Sequence, residues 1–148
     1  MKTIKSFLLY LFFSLIIKII SHFIQSSFIT TFLDTSIITI LVALLAINTT
    51  TMSVLLTKLR EISDKTGGTF VTTIISLKNS RFEQITLIIT SLLFLILKKS
   101  ILINSIFSYN GLVCDIFITA AFIGGIYNLY DTGKAIFIIM EYDNPVDK

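Results

Sequence analysis

The sequence predicts an all-α membrane protein with four transmembrane helices, the second and third extended into a cytoplasmic helical hairpin. Three observations predict it. Of 148 residues, 54% are apolar and 14% charged, against about 45–50% and about 25% in ordinary soluble domains. The mean hydropathy is +0.89. The apolar residues also gather into four stretches near the ~20 residues needed to cross a bilayer. This composition excludes a disordered chain, which needs low hydrophobicity and high charge. It disfavours a small soluble fold, which cannot bury so much apolar surface. Cys114 is the only cysteine, so a disulfide scaffold is excluded.

The first span runs from Phe7 to about Phe23, interrupted by Lys18. Lys2 and Lys5 give it the basic start of a signal peptide. No small-x-small cleavage site follows Ile17, so it reads as a retained span.

The second span, from about Ser36 to Leu59, carries a stripe of small residues: Ser36, Thr39, Ala43, Ala46, Thr50, Ser53 and Thr57. Alternating steps of three and four put them on one side of a helix. Ile40, Leu41, Leu44, Leu45, Leu55 and Leu56 occupy the other faces, and Asn48, Thr49 and Thr51 add polarity near mid-membrane. Small residues let helices approach closely in lipid, so one reading is a helix–helix seam, within a protomer or between copies. The other is a pore lining, with Asn48 or Thr50 at a constriction. The hydroxyls can also bond their own backbone four residues back and need no partner.

Residues 58–84 connect the second and third spans. Gly67–Gly68 marks a turn. Leu55, Leu59 and Ile62 continue a helical spacing before it, and Phe70, Ile74, Leu77 and Phe82 resume one after it. This predicts a hairpin whose arms continue the membrane helices for about 15–20 Å. An amphipathic helix lying on the membrane and a short strand over 70–77 are the alternatives. Arg60, Glu61, Lys65, Lys78, Arg81 and Glu83 are the candidate docking residues for a cytoplasmic protein partner. The plainer role of the segment is a connection.

The third span runs from about Phe82 to Leu97, with an apolar extension over 101–107 beyond Lys98 and Lys99. The fourth runs from Leu112 to about Tyr130, and a further apolar stretch, Ala135 to Met140, follows Lys134. Ala120 with Gly124, and Ala121 with Gly125, form small-xxx-small pairs suited to close helix packing or, at the glycines, to a hinge. The whole chain, 1–148, reads as one domain.

Basic residues orient the chain. With both termini cytoplasmic, nine of the 12 Lys and Arg residues face inward, leaving Lys18, Lys98 and Lys99 within or outside the membrane. Asp34 and Asp115 fall at the same outer level and can neutralise these lysines.

Enzymatic chemistry has no visible basis. His22 is the only histidine and supplies no zinc or haem set with one cysteine. Gly67–Gly68 lacks the Lys-Ser/Thr of a phosphate loop. No cofactor is expected. A net charge of +3 spread over loops argues against direct nucleic-acid binding.

The run from Leu41 to Glu83 reads LVALLAINTTTMSVLLTKLREISDKTGGTF and continues VTTIISLKNSRFE. In overall organisation it resembles membrane subunits of bacterial anti-phage defence systems, the Kiwa type in particular. The resemblance implies an oligomer in the bacterial inner membrane that anchors a cytoplasmic partner responding to infection. A self-assembling pore, holin-like or gated, is the competing expectation. The acidic tail over 141–148 is unlike the basic termini of holins.

Overall fold

The computed structural model describes residues 2–107 and 109–143, with side chains described for 6–107 and 109–139. The side chains of Lys2 and Lys5 and of the acidic tail lie outside the described residues. The described chain is helical: α1 (Lys2–Phe23), α2 (Phe28–Thr66), α3 (Val71–Lys99), the short α4 (Ile101–Ile106) and α5 (Asn110–Asp143). Four of these are long and apolar enough to cross a membrane. The set fits a multi-pass membrane protein.

Each break between helices has a local cause. After α1 the chain closes in a Schellman-type turn. Ser26 N–H donates to Ser21 C=O at 2.9 Å and Gln25 N–H to His22 C=O at 3.1 Å. Gln25 takes the left-handed conformation this requires, with φ 54°. Gly67, at φ 68°, ends α2 and donates its N–H to Ser63 C=O at 2.8 Å. The Ser63 hydroxyl then donates to Gly68 C=O at 2.6 Å, pinning the turn into α3. Ser100 is extended at ψ 119°, which sets off as a separate helix, α4, what the sequence suggested was an apolar extension of the third span beyond Lys98 and Lys99. Asn110 holds this corner by donating to Leu97 C=O at 2.8 Å and to Asn104 Oδ1 at 3.0 Å. In contrast, Gly133 and Lys134 break nothing, and Ala135 to Met140 continues α5.

α5 is central. It packs against α1, α2 and α3, and α2 and α3 pack on each other. The core has two apolar layers. Toward the α2–α3 turn, Met52, Leu55, Leu59, Ile62, Leu77 and Ile139 cluster. Toward the other end, Leu33, Ile37, Leu41 and Ile118 cluster. Ala120, Ala121, Gly124 and Gly125 are buried along α5. A Cβ on Gly124 would stand 3.1 Å from both Leu87 and Tyr10, and one on Gly125 only 2.6 Å from Leu41. These glycines therefore bring α5 close to three helices at one level. The helix is continuous through them.

Candidate functional site

The stripe on α2 points outward. Thr39, Ala43, Ala46, Thr50, Ser53 and Thr57 are exposed, and Ser36 is half-exposed. The bulky face, from Leu33 to Ile62, forms the core instead. Three stripe hydroxyls bond their own helix: Thr50 to Ala46 C=O at 3.1 Å, Ser53 to Thr49 C=O at 3.0 Å, and Thr57 to Ser53 C=O at 3.1 Å. Asn48 does not share that face. It lies two residues from Thr50, about 200° around the helix, and is 1% exposed.

The docking candidates also divide. Arg60, Glu61, Lys65, Lys78 and Arg81 are exposed around the α2–α3 turn. Lys58 bonds Glu61 at 2.6 Å, and this hydrogen bond and charge hold the Glu61 carboxyl below its ordinary value. Glu83 is half-buried and turns away toward α1.

Each of the four long helices gives one residue to a charged network at the end opposite the turn. Asp115 on α5 takes Lys18 of α1 at 2.5 Å through Oδ2 and Lys98 of α3 at 2.7 Å through Oδ1. Lys98 also meets Asp34 of α2 at 2.5 Å. Lys18 donates further to Thr30 at 2.9 Å. Two ammonium groups and two carboxylates cancel, which removes most of the penalty for holding charge among helices. Lys98 thus points inward, and Lys99 stays exposed.

Between the two apolar layers lies a buried amide network. Asn48 Nδ2 donates to Gln84 Oε1 at 2.7 Å and to Asn128 Oδ1 at 3.2 Å. The Ser80 hydroxyl donates to Asn128 Oδ1 at 2.7 Å, and Asn128 Nδ2 returns a bond to Ser80 C=O at 3.0 Å. Asn48 Oδ1 and Gln84 Nε2 have no partner among the described residues. The two amides therefore differ in worth. Asn128→Leu strands the Ser80 hydroxyl and an Asn48 donor, and costs about 1–3 kcal/mol. Gln84→Met loses one bond but also removes an unpartnered donor, and costs less. Melting temperatures of the purified variants check the order; equal losses would contradict it. Cys114, free and buried, supplies the readout through its reaction with a thiol dye on unfolding.

The fifth feature is a groove between α1 and α3, floored by α5. Phe7, Tyr10, Phe82, Leu87 and Phe117 form its apolar walls around about 520 Å³. Asn79, Glu83, Thr86 and Thr90 line it from one face of α3. It continues into a polar recess of about 240 Å³ that holds Glu83, Asp131 and Asn128. No Lys or Arg lines either part among the described residues. The sequence carried a signal for this face, the 4-3-4 spacing of Asn79, Glu83, Thr86 and Thr90. It was hidden because Glu83 also fits a solvated hairpin face.

Among the described residues, no group of three or more His, Cys, Asp and Glu side chains is placed to hold a metal ion. No protein-family model, curated protein or solved structure matches this chain.

Proposed function

We propose that this chain is a non-enzymatic, oligomeric inner-membrane subunit that anchors and regulates a cytoplasmic protein, in bacterial anti-phage defence. Both termini lie in the cytoplasm in this reading, and the α2–α3 turn projects there. The observation that carries it is the surface of that turn. α2 has 39 residues, about 58 Å of helix, nearly twice the ~30 Å hydrocarbon core. Its charged end leaves the bilayer together with the start of α3. There Val71, Ile74 and Ile75 are 60%, 46% and 52% exposed. The same two helix ends carry Arg60, Lys65, Lys78 and Arg81, which are exposed as well. Apolar side chains grouped outside lipid mark an interaction surface, and a basic surround favours an acidic partner face.

Reversing the charge at Arg60, Lys65, Lys78 and Arg81 is expected to reduce co-purification of the product of an adjacent gene at least tenfold, with membrane insertion intact. Undiminished recovery would remove the docking role. A reporter fused after Lys148 should report a cytoplasmic location; a periplasmic one overturns the topology.

The outward stripe on α2 favours a second reading, a pore of several copies. Hydroxyls already bonded to their own backbone can face lipid, another copy or water. Membrane depolarisation by the chain expressed alone, abolished by Thr50→Leu, would support the pore. No depolarisation supports the anchor.

A further inference from the structure

We infer that the groove between α1 and α3 binds a lipophilic organic cation, with its apolar body against the aromatic walls and its charge beside Glu83 and Asp131. Four aromatic rings, Phe7, Tyr10, Phe82 and Phe117, line the wide part. Aromatic faces attract cations, most strongly where water is excluded. At about 520 Å³, the space falls in the range of small-molecule sites, ~300–1,000 Å³. The narrow part holds two carboxyls, Glu83 and Asp131.

Charge decides between occupants. Among the described residues no ion pair is made by Glu83, and Lys18 and Lys98 are engaged with Asp34 and Asp115 at the other end. A half-buried carboxylate beside another carboxyl favours a counter-cation. A zwitterionic phospholipid would bring its phosphate to the same two acids, with no Lys or Arg lining the recess to receive it among the described residues. A net cation has no such penalty. The polar and apolar parts also meet end to end. From Asn79 to Thr90 the α3 wall spans 12 residues, about 16 Å from first to last, with its acidic side chain toward one end.

The test reads ion binding by this chain alone, so it is independent of partner binding. The full-length chain in nanodiscs is titrated with tetraphenylphosphonium and with tetraphenylborate, ions of like shape and opposite charge. The cation is expected to bind saturably and to delay Cys114 labelling on heating, and the anion to do neither. Glu83→Gln should weaken cation binding by about tenfold or more, while Asp64→Asn, on the exposed end of α2, leaves it unchanged. Thr90→Phe keeps both carboxyls and fills the apolar part, and should abolish binding in a chain that still elutes as folded. Equal uptake of the two ions, or undiminished binding in Glu83→Gln, would mean partition into lipid and overturns the site. Co-purified aminophospholipid that the cation fails to displace overturns it too.

Discussion

Asp115→Leu is expected to be the most destabilising single change at the end of this protein opposite the α2–α3 turn. Asp115 is the only residue of the charged network that touches both lysines, Lys18 at 2.5 Å and Lys98 at 2.7 Å. Its side chain is 12% exposed, and those of Lys18 and Lys98 are 23% and 18% exposed. Removing one partner of a buried ion pair leaves the other charge uncompensated, at a cost of about 3–5 kcal/mol. Lys98 retains Asp34 at 2.5 Å, whereas Lys18 retains only the Thr30 hydroxyl at 2.9 Å. Lys18 is therefore the residue that carries the loss, and a double variant exposes this. Asp115→Leu with Lys18→Leu leaves one lysine and one aspartate, again neutral. It should recover most of the stability lost by Asp115→Leu alone, although it carries more substitutions. The measurement is the temperature of aggregation in detergent, expected to fall by roughly 10 °C in the single variant. If the double variant is as unstable as the single one, packing at Asp115 matters and charge balance does not.

That network shows how far a sequence can be read here. Two lysines among apolar residues need carboxylates, and Asp34 and Asp115 are at hand at the same level, so mutual neutralisation was legible. The assignment of pairs was not, because it depends on α5 lying between α1 and α3. The four long helices were legible from length and apolarity, and the α2–α3 turn from Gly67–Gly68. α4 was not, since Ile101 to Phe107 is as apolar as the span before it and only the extended Ser100 separates them.

The direction of the α2 stripe was illegible for a physical reason. Small residues permit close packing but do not compel it, and a hydroxyl bonded to its own carbonyl is content on either side. The bulky face decided the matter by filling the core. Asn48 belongs to that face by its spacing from Leu41, Met52 and Leu55, all buried. Its polarity drew it instead toward the threonines beside it in sequence. Glu83 was misleading in the same way: a carboxylate two residues from Arg81 reads as hairpin surface, yet those two residues turn it about 200° around the helix, into the groove against α1.

The second large effect is expected at Gly125, where a graded series separates packing from helix propensity. A Cβ there stands 2.6 Å from Leu41 Cδ2 and 3.3 Å from Leu44 Cδ1. Leu41 is 0% exposed and sits in the core layer with Leu33, Ile37 and Ile118. Alanine gains about 1 kcal/mol of helix propensity over glycine, but Leu41 must swing aside to admit even one methyl. Gly125→Ala should therefore be close to neutral or mildly destabilising. Gly125→Val adds two more methyls on a stiff β-branched carbon and should cost about 1–3 kcal/mol by overpacking, pushing α2 away from α5. Gly133→Ala provides the contrast, since nothing lies within 4 Å of its Cβ position, and it should stabilise by the propensity term alone. Leu41→Ala supplies the cross-check. By itself it leaves a cavity costing about 2–5 kcal/mol, yet combined with Gly125→Val it opens the space the valine needs. The double variant should melt above either single one, as mutual relief requires of two side chains in contact. Additive losses would show that α2 and α5 do not meet at this point, and would remove the close approach on which the central position of α5 depends.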